Sequence, residues 1–88
     1  MLPHTVYYFI STLEIKNKSG MTPLHIASSN GYSDIVKYLI KSGANLEEET
    51  SGKATPLLCA SYYGHIEIVN FLIQNGADSS CHDHIITL

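Results

Sequence analysis

The 88-residue chain contains no arginine and no tryptophan, and it has only two cysteines. Its net charge of -3 comes from eight acidic residues against five lysines. Because guanidinium groups and basic stripes are the usual means of holding nucleic acids, the composition argues against a nucleic-acid-binding protein. Two cysteines are too few for a disulfide framework and indicate a reducing compartment. We therefore expect free thiols and an intracellular, cytoplasmic location.

A long hydrophobic run is also missing. Residues 1–13, MLPHTVYYFISTL, are apolar, but no lysine or arginine precedes them and no A-x-A-like cleavage site is present. No stretch approaches the ~20 apolar residues that a membrane span requires. We therefore expect neither a secretory signal nor a membrane partner. An apolar content of 44% with 15% charged residues is typical of one small folded domain.

What the sequence does contain is an internal repeat. Residues 21–31, MTPLHIASSNG, return as residues 54–64, ATPLLCASYYG, and identities continue downstream at the same offset of 33 residues. In each copy, a threonine followed by proline predicts a helix start, and a glycine eight residues after the proline predicts its end. A second helix should follow, because apolar residues then recur at i, i+1, i+4 and i+5. These stripes are Ile35, Val36, Leu39 and Ile40 in the first copy and Ile68, Val69, Leu72 and Ile73 in the second.

The polar stretch ANLEEETSGK between the copies favours a protruding turn or hairpin. The period, the TPLHIA stretch, the glycine, IVKYLI and SGAN together resemble the ankyrin repeat. The resemblance implies an all-α solenoid of helix-turn-helix units joined by hairpin-like loops. It makes residues 17–49 and 50–82 two full repeats, residues 1–16 a degenerate N-terminal capping segment, and residues 83–88 the truncated start of a third.

In the capping segment, a helix from near Pro3 would lay Val6, Phe9 and Ile10 against the first repeat, and a strand is the alternative. Repeat units of this kind do not bury their faces alone, and about three are normally required. We therefore expect either a piece of a longer array with further ankyrin repeats or a chain that relies on a partner.

Several chemically capable residues have a structural interpretation. The resemblance makes His25 a histidine that hydrogen-bonds around the Thr22 cap, and Cys59 aligns with Ile26 as a small buried residue. The adjacent residues Cys81, His82, Asp83 and His84 are metal-capable, but in an extended segment only the two histidines could chelate together. A solvated hairpin is the simpler reading, so we predict no metal and no other cofactor. No nucleophile–base arrangement, phosphate-binding glycine loop or acid pair indicates an enzyme.

The resemblance implies a non-catalytic protein–protein interaction module, because ankyrin-like arrays commonly bind partners through connector tips and the exposed face of each first helix. The alternative is a structural spacer, or a fragment of a larger repeat protein with no ligand of its own. The glutamates at 47–49 either are solvated or steer a basic partner. The candidate partner-binding residues are Lys18, Ser19, Met21, Ser29, Asn30, Glu48, Glu49, Ser51, Ala54, Tyr62 and Tyr63.

Two features of the second copy bear on this surface. Tyr62 and Tyr63 replace Ser29 and Asn30, and tyrosine supplies a large, rigid contact area with a polar tip. Either they anchor a partner or one of them packs under the neighbouring connector. The second connector also places Gly52 one residue earlier than Gly20, so its tip geometry does not carry over directly from the first.

Overall fold

A computed structural model describes residues 13–79, which form helices and connecting loops without a strand. The helices are α1 (Pro23–Asn30), α2 (Ser33–Lys41), α3 (Pro56–Tyr62) and α4 (Ile66–Gln74). Helices α1 and α2 form one pair and α3 and α4 a second, each pair joined by a tight turn. The pairs stack, because α1 packs against α3 and α2 packs against α4. The predicted all-α solenoid class is confirmed. Most of the predicted capping segment, the start of a third repeat and the cluster at residues 81–84 lie outside the described residues.

Helices α1 and α3 each begin directly after a threonine that the sequence predicts as a helix cap. Thr22 has extended backbone angles, and its Oγ1 accepts a hydrogen bond from the His25 amide at 3.4 Å. Thr55 does the same for the Leu58 amide at 3.3 Å. A proline follows each threonine in the first turn, where a missing N–H leaves no bond unmade. The chain therefore starts α1 and α3 by the same local chemistry.

One apolar core runs through both helix pairs. Val36 and Leu39 of α2 are buried in it with Ile68, Val69 and Leu72 of α4. The predicted stripe of the first copy needs one correction, since Ile35 is 49% exposed whereas the matching Ile68 is 1% exposed. Ile68 belongs to the core that α2 and α4 share. The segment that precedes α2 by one repeat length, residues 1–8, falls outside the described residues, so no helix within residues 13–79 covers Ile35 as α2 covers Ile68.

Candidate functional site

The two connector tips have the same backbone conformation. In the first, the Asn17 amide donates to the Met21 carbonyl at 3.0 Å; in the second, the Thr50 amide donates to the Ala54 carbonyl at 2.9 Å. Gly20 closes the first turn with a φ of 77°, and Lys53, 33 residues later, takes the same left-handed region with a φ of 64°. The earlier placement of Gly52 therefore does not alter the tip, because Lys53 adopts the conformation that glycine adopts in the first copy.

The tips also contact each other directly. The Ser51 amide donates to the Ser19 carbonyl at 3.0 Å, which joins one connector to the next. A Cβ atom at Gly20 would lie 2.8 Å from the Ser51 nitrogen, closer than van der Waals contact allows. The absence of a side chain at Gly20 thus lets the two connectors stack, and the stack forms one wall of a groove.

This groove lies between the connector tips and the neighbouring parts of α1 and α3, and it has a volume of about 560 Å³. Its lining residues are Lys18, Ser19, Met21, Ser29, Thr50, Ser51, Gly52, Ala54, Cys59 and Tyr63. Most of the candidate partner-binding residues are thus brought to one place, although their role in binding stays a prediction. Three lining residues, Thr50, Gly52 and Cys59, were not among the candidates. For Cys59 the sequence carried no signal of a lining position, because its alignment with Ile26 predicted a buried residue.

Four candidate residues do not line the groove. Asn30 donates from Nδ2 to the Ile26 carbonyl at 2.8 Å, within its own helix. Glu48 forms an ion pair with Lys16, and Glu49 is exposed. The fourth, Tyr62, is 81% exposed and lies beside Tyr63, which is 60% exposed. The rings meet edge to face with centroids 4.9 Å apart. No residue within 13–79 covers either ring deeply. Within this range, neither tyrosine therefore packs under a connector, which was the alternative prediction.

Two histidines join the first helix pair to the second. His25 is fully buried, and its Nδ1 accepts from the Thr22 amide at 3.0 Å. Since a carbonyl can only accept, its Nε2 carries the hydrogen that is donated to the Ala54 carbonyl at 2.9 Å. His65 donates from Nε2 to the Ser29 carbonyl near the end of α1, at 3.0 Å. The predicted capping role of His25 is confirmed, and its second bond fixes the connector that forms one wall of the groove.

The Cys59 thiol lies on the groove wall without the environment of a nucleophile. Burial raises the pKa of this thiol, and a hydrogen bond with Ser29 offsets only part of that effect. The thiol is therefore protonated at neutral pH, and the thiolate is the reactive species in cysteine chemistry. The residue is buried, as expected from its alignment with Ile26.

Most of the acidic run is engaged within the molecule. Glu47 accepts from the Asp78 amide at 2.8 Å, and Glu14 accepts in the same way from the Asn45 amide at 3.0 Å, one repeat length earlier. The hydrogen bond and charge of Lys16 lower the pKa of Glu48 below its ordinary value. Two of the three glutamates thus hold connectors in place, and Glu49 is the one without a hydrogen bond or ion pair within residues 13–79.

Two further findings concern residues 13–79 alone. None of the helices in this range is long and apolar enough to cross a membrane. Within the same range, no three histidine, cysteine or acidic side chains come together as metal ligands would.

Stacked helix pairs with paired connectors define a helical repeat protein. The family model described as ankyrin repeats (3 copies) matches residues 2–83, so the chain belongs to the ankyrin repeat family. Ankyrin repeats are generally protein–protein interaction modules, and the family is typically non-catalytic.

The relatives share short stretches with the chain. Over 30 residues it is 57% identical to human protein phosphatase 1 regulatory subunit 27, and these residues make up 34% of this chain and 20% of that protein. Over 34 residues it is 59% identical to the putative ankyrin repeat protein L484 of Acanthamoeba polyphaga mimivirus, 39% of this chain and 2% of the other. Delta-latroinsectotoxin-Lt1a of Latrodectus tredecimguttatus is 49% identical over 39 residues, 44% of this chain and 3% of the toxin. The chain spans a fifth or less of each relative.

Proposed function

We propose that this chain is a non-catalytic protein-recognition module that contacts its partner through the groove and the adjoining tyrosine pair, Tyr62 and Tyr63. The observation that carries the proposal is the position of two exposed tyrosine rings at the edge of a groove of about 560 Å³. Exposed aromatic side chains on a rigid support are the residues that most often dominate binding energy at interfaces.

The scaffold around the tyrosines supports this role. The helix on which they lie is capped, the connector beside them is bonded to the preceding connector, and His25 anchors that connector through a buried hydrogen bond. A surface whose backbone is fixed in this way loses little conformational entropy on binding. One relative carries the name of a phosphatase regulatory subunit, which is consistent with binding as the task of such repeats.

The experiment compares three immobilised forms of the chain as baits for a cell extract. The wild type and the Tyr32→Ala variant should capture the same proteins, because Tyr32 is an exposed tyrosine on the turn between α1 and α2 and does not line the groove. The Tyr62→Ala, Tyr63→Ala double variant should weaken binding by about 2 kcal/mol or more while its circular dichroism spectrum stays unchanged. Equal capture by all three baits would count against the tyrosine pair.

A structural spacer with no ligand of its own is the competing function, and it predicts that none of the three baits retains a protein above the level of the bare resin. The division into repeats at 17–49 and 50–82, and an intracellular, cytoplasmic location, stay predictions from the sequence.

A further inference from the structure

The charge on the groove is opposite in sign to the charge on the chain. Lys18 is the one lysine or acidic residue among the side chains that line it. Lys53 lies between Gly52 and Ala54, which both line it. Neither lysine forms an ion pair within residues 13–79, whereas Lys16 and Lys37 are paired with Glu48 and Glu67. The groove therefore presents the charge of Lys18, which is in no ion pair within residues 13–79.

The three glutamates of the neighbouring connector, at positions 47–49, do not line the groove, although Glu49 directly precedes the lining residue Thr50. Glu47 is held by the Asp78 amide, and Glu48 is bound to Lys16 and Asn45. Charges farther than about 8 Å are largely screened at physiological ionic strength. A ligand in the groove touches Lys18 directly, so this charge counts for more than the net charge of -3, which is spread over the whole chain.

The rest of the groove combines apolar and hydroxyl-bearing side chains. Met21 and Ala54 lie on the connectors, and Tyr63 lies at the end of α3, so an apolar side chain has a place to pack. Ser19 and Ser51 carry exposed hydroxyls on successive tips. Hydroxyl groups can donate to and accept from peptide groups of a bound main chain. Because the groove crosses two connectors, it suits a length of extended chain better than a single residue.

We infer that the groove binds an extended acidic segment of a partner protein, in which one carboxylate pairs with Lys18 and an apolar side chain packs against Met21 and Tyr63. The inference rests on the proposed function and specifies the chemistry of the partner. It also gives Glu47 and Glu48 a role other than steering a basic partner, since both already hold connectors in place.

The test uses phage-displayed random dodecapeptides selected on the whole chain, followed by affinity measurements with the selected peptides. Peptides that bind the wild type should be enriched in aspartate or glutamate near an aliphatic or aromatic residue. Lys18→Glu should weaken their binding by roughly five- to tenfold and shift selection towards lysine and arginine. Lys41→Glu makes the same change in net charge at a position that does not line the groove, and it should change affinity by less than about twofold.

The outcomes separate the inference from the proposed function. If peptides bind in a Tyr63-dependent way but without acidic enrichment, or if Lys18→Glu and Lys41→Glu behave alike, the acidic-partner inference is wrong and recognition through the groove stands. Enrichment of basic peptides on the wild type overturns the inference in the same way. If no peptide binds, the extended-segment inference is overturned, and the proposed function is then decided by the capture of intact proteins.

Discussion

At the scale of the residue, Lys53 has a backbone conformation that costs free energy. Its φ of 64° lies in the left-handed region, where the Cβ atom of an L residue crowds the neighbouring carbonyl at a cost of about 1–2 kcal/mol. Glycine avoids that contact but loses about 0.5–1 kcal/mol through the greater freedom of the unfolded chain. We predict that Lys53→Gly raises the free energy of unfolding by about 0.5–1 kcal/mol, measured by urea denaturation.

Lys53→Ala is the matched control, because it removes the same charge and keeps a Cβ atom. It should leave the stability within about 0.5 kcal/mol of the wild type. A Lys53→Gly variant that is less stable than the wild type would show that the left-handed conformation is not strained at this position.

At the scale of the element, the two histidines make unequal contributions to joining the helix pairs. His25 is fully buried and bonds at both ring nitrogens, whereas His65 is half-buried and makes one bond to the Ser29 carbonyl. Leucine at position 25, the residue found at the matching position 58, would leave the buried Thr22 amide without its acceptor. Such a loss costs about 1–3 kcal/mol, so we predict that His25→Leu lowers the free energy of unfolding by about 2 kcal/mol.

His65→Leu provides the comparison, with an expected loss of about 1 kcal/mol or less because the Ser29 carbonyl lies nearer to water. Both variants can be measured by the same urea denaturation. If His25→Leu proves no more destabilising than His65→Leu, the two buried hydrogen bonds of His25 contribute no more to stability than the one bond of His65.

The helices also show which structural features can be predicted from the sequence and which cannot. The starts of α1 and α3 were predictable because a threonine cap and a first-turn proline act within a few residues. The exposure of Ile35 was not, because burial depends on which segment lies beside a helix and not on the helix alone. Most of the residues that line the groove were predicted as binding residues, but only through the family resemblance. The groove itself was not predictable, because it depends on contacts between residues about 30 apart in the chain, such as the Ser51 amide with the Ser19 carbonyl.

At the scale of the whole molecule, contacts between successive connectors make stability depend on pH. The ion pair with Lys16 lowers the pKa of Glu48 below its ordinary value of 4.5, so the folded chain favours the ionised carboxylate. A group of this kind stabilises the fold above its ordinary pKa, and the contribution disappears as the pH falls through the lowered value. We predict that Glu48→Gln has a slightly lower Tm than the wild type at pH 6 and that the difference shrinks as the pH falls below 4.5.

Glu49→Gln is the control for this prediction, since it removes a neighbouring negative charge that has no ion pair within residues 13–79. Thermal unfolding of the three proteins between pH 3 and pH 7 should give a pH-dependent difference for Glu48→Gln alone. The same difference should shrink in high salt, because exposed ion pairs are screened. A Glu48→Gln difference that stays constant across this pH range would mean that Lys16 does not stabilise the ionised carboxylate. The connectors would then be held mainly by uncharged hydrogen bonds, from the Ser51 amide to the Ser19 carbonyl and from His25 to the Ala54 carbonyl.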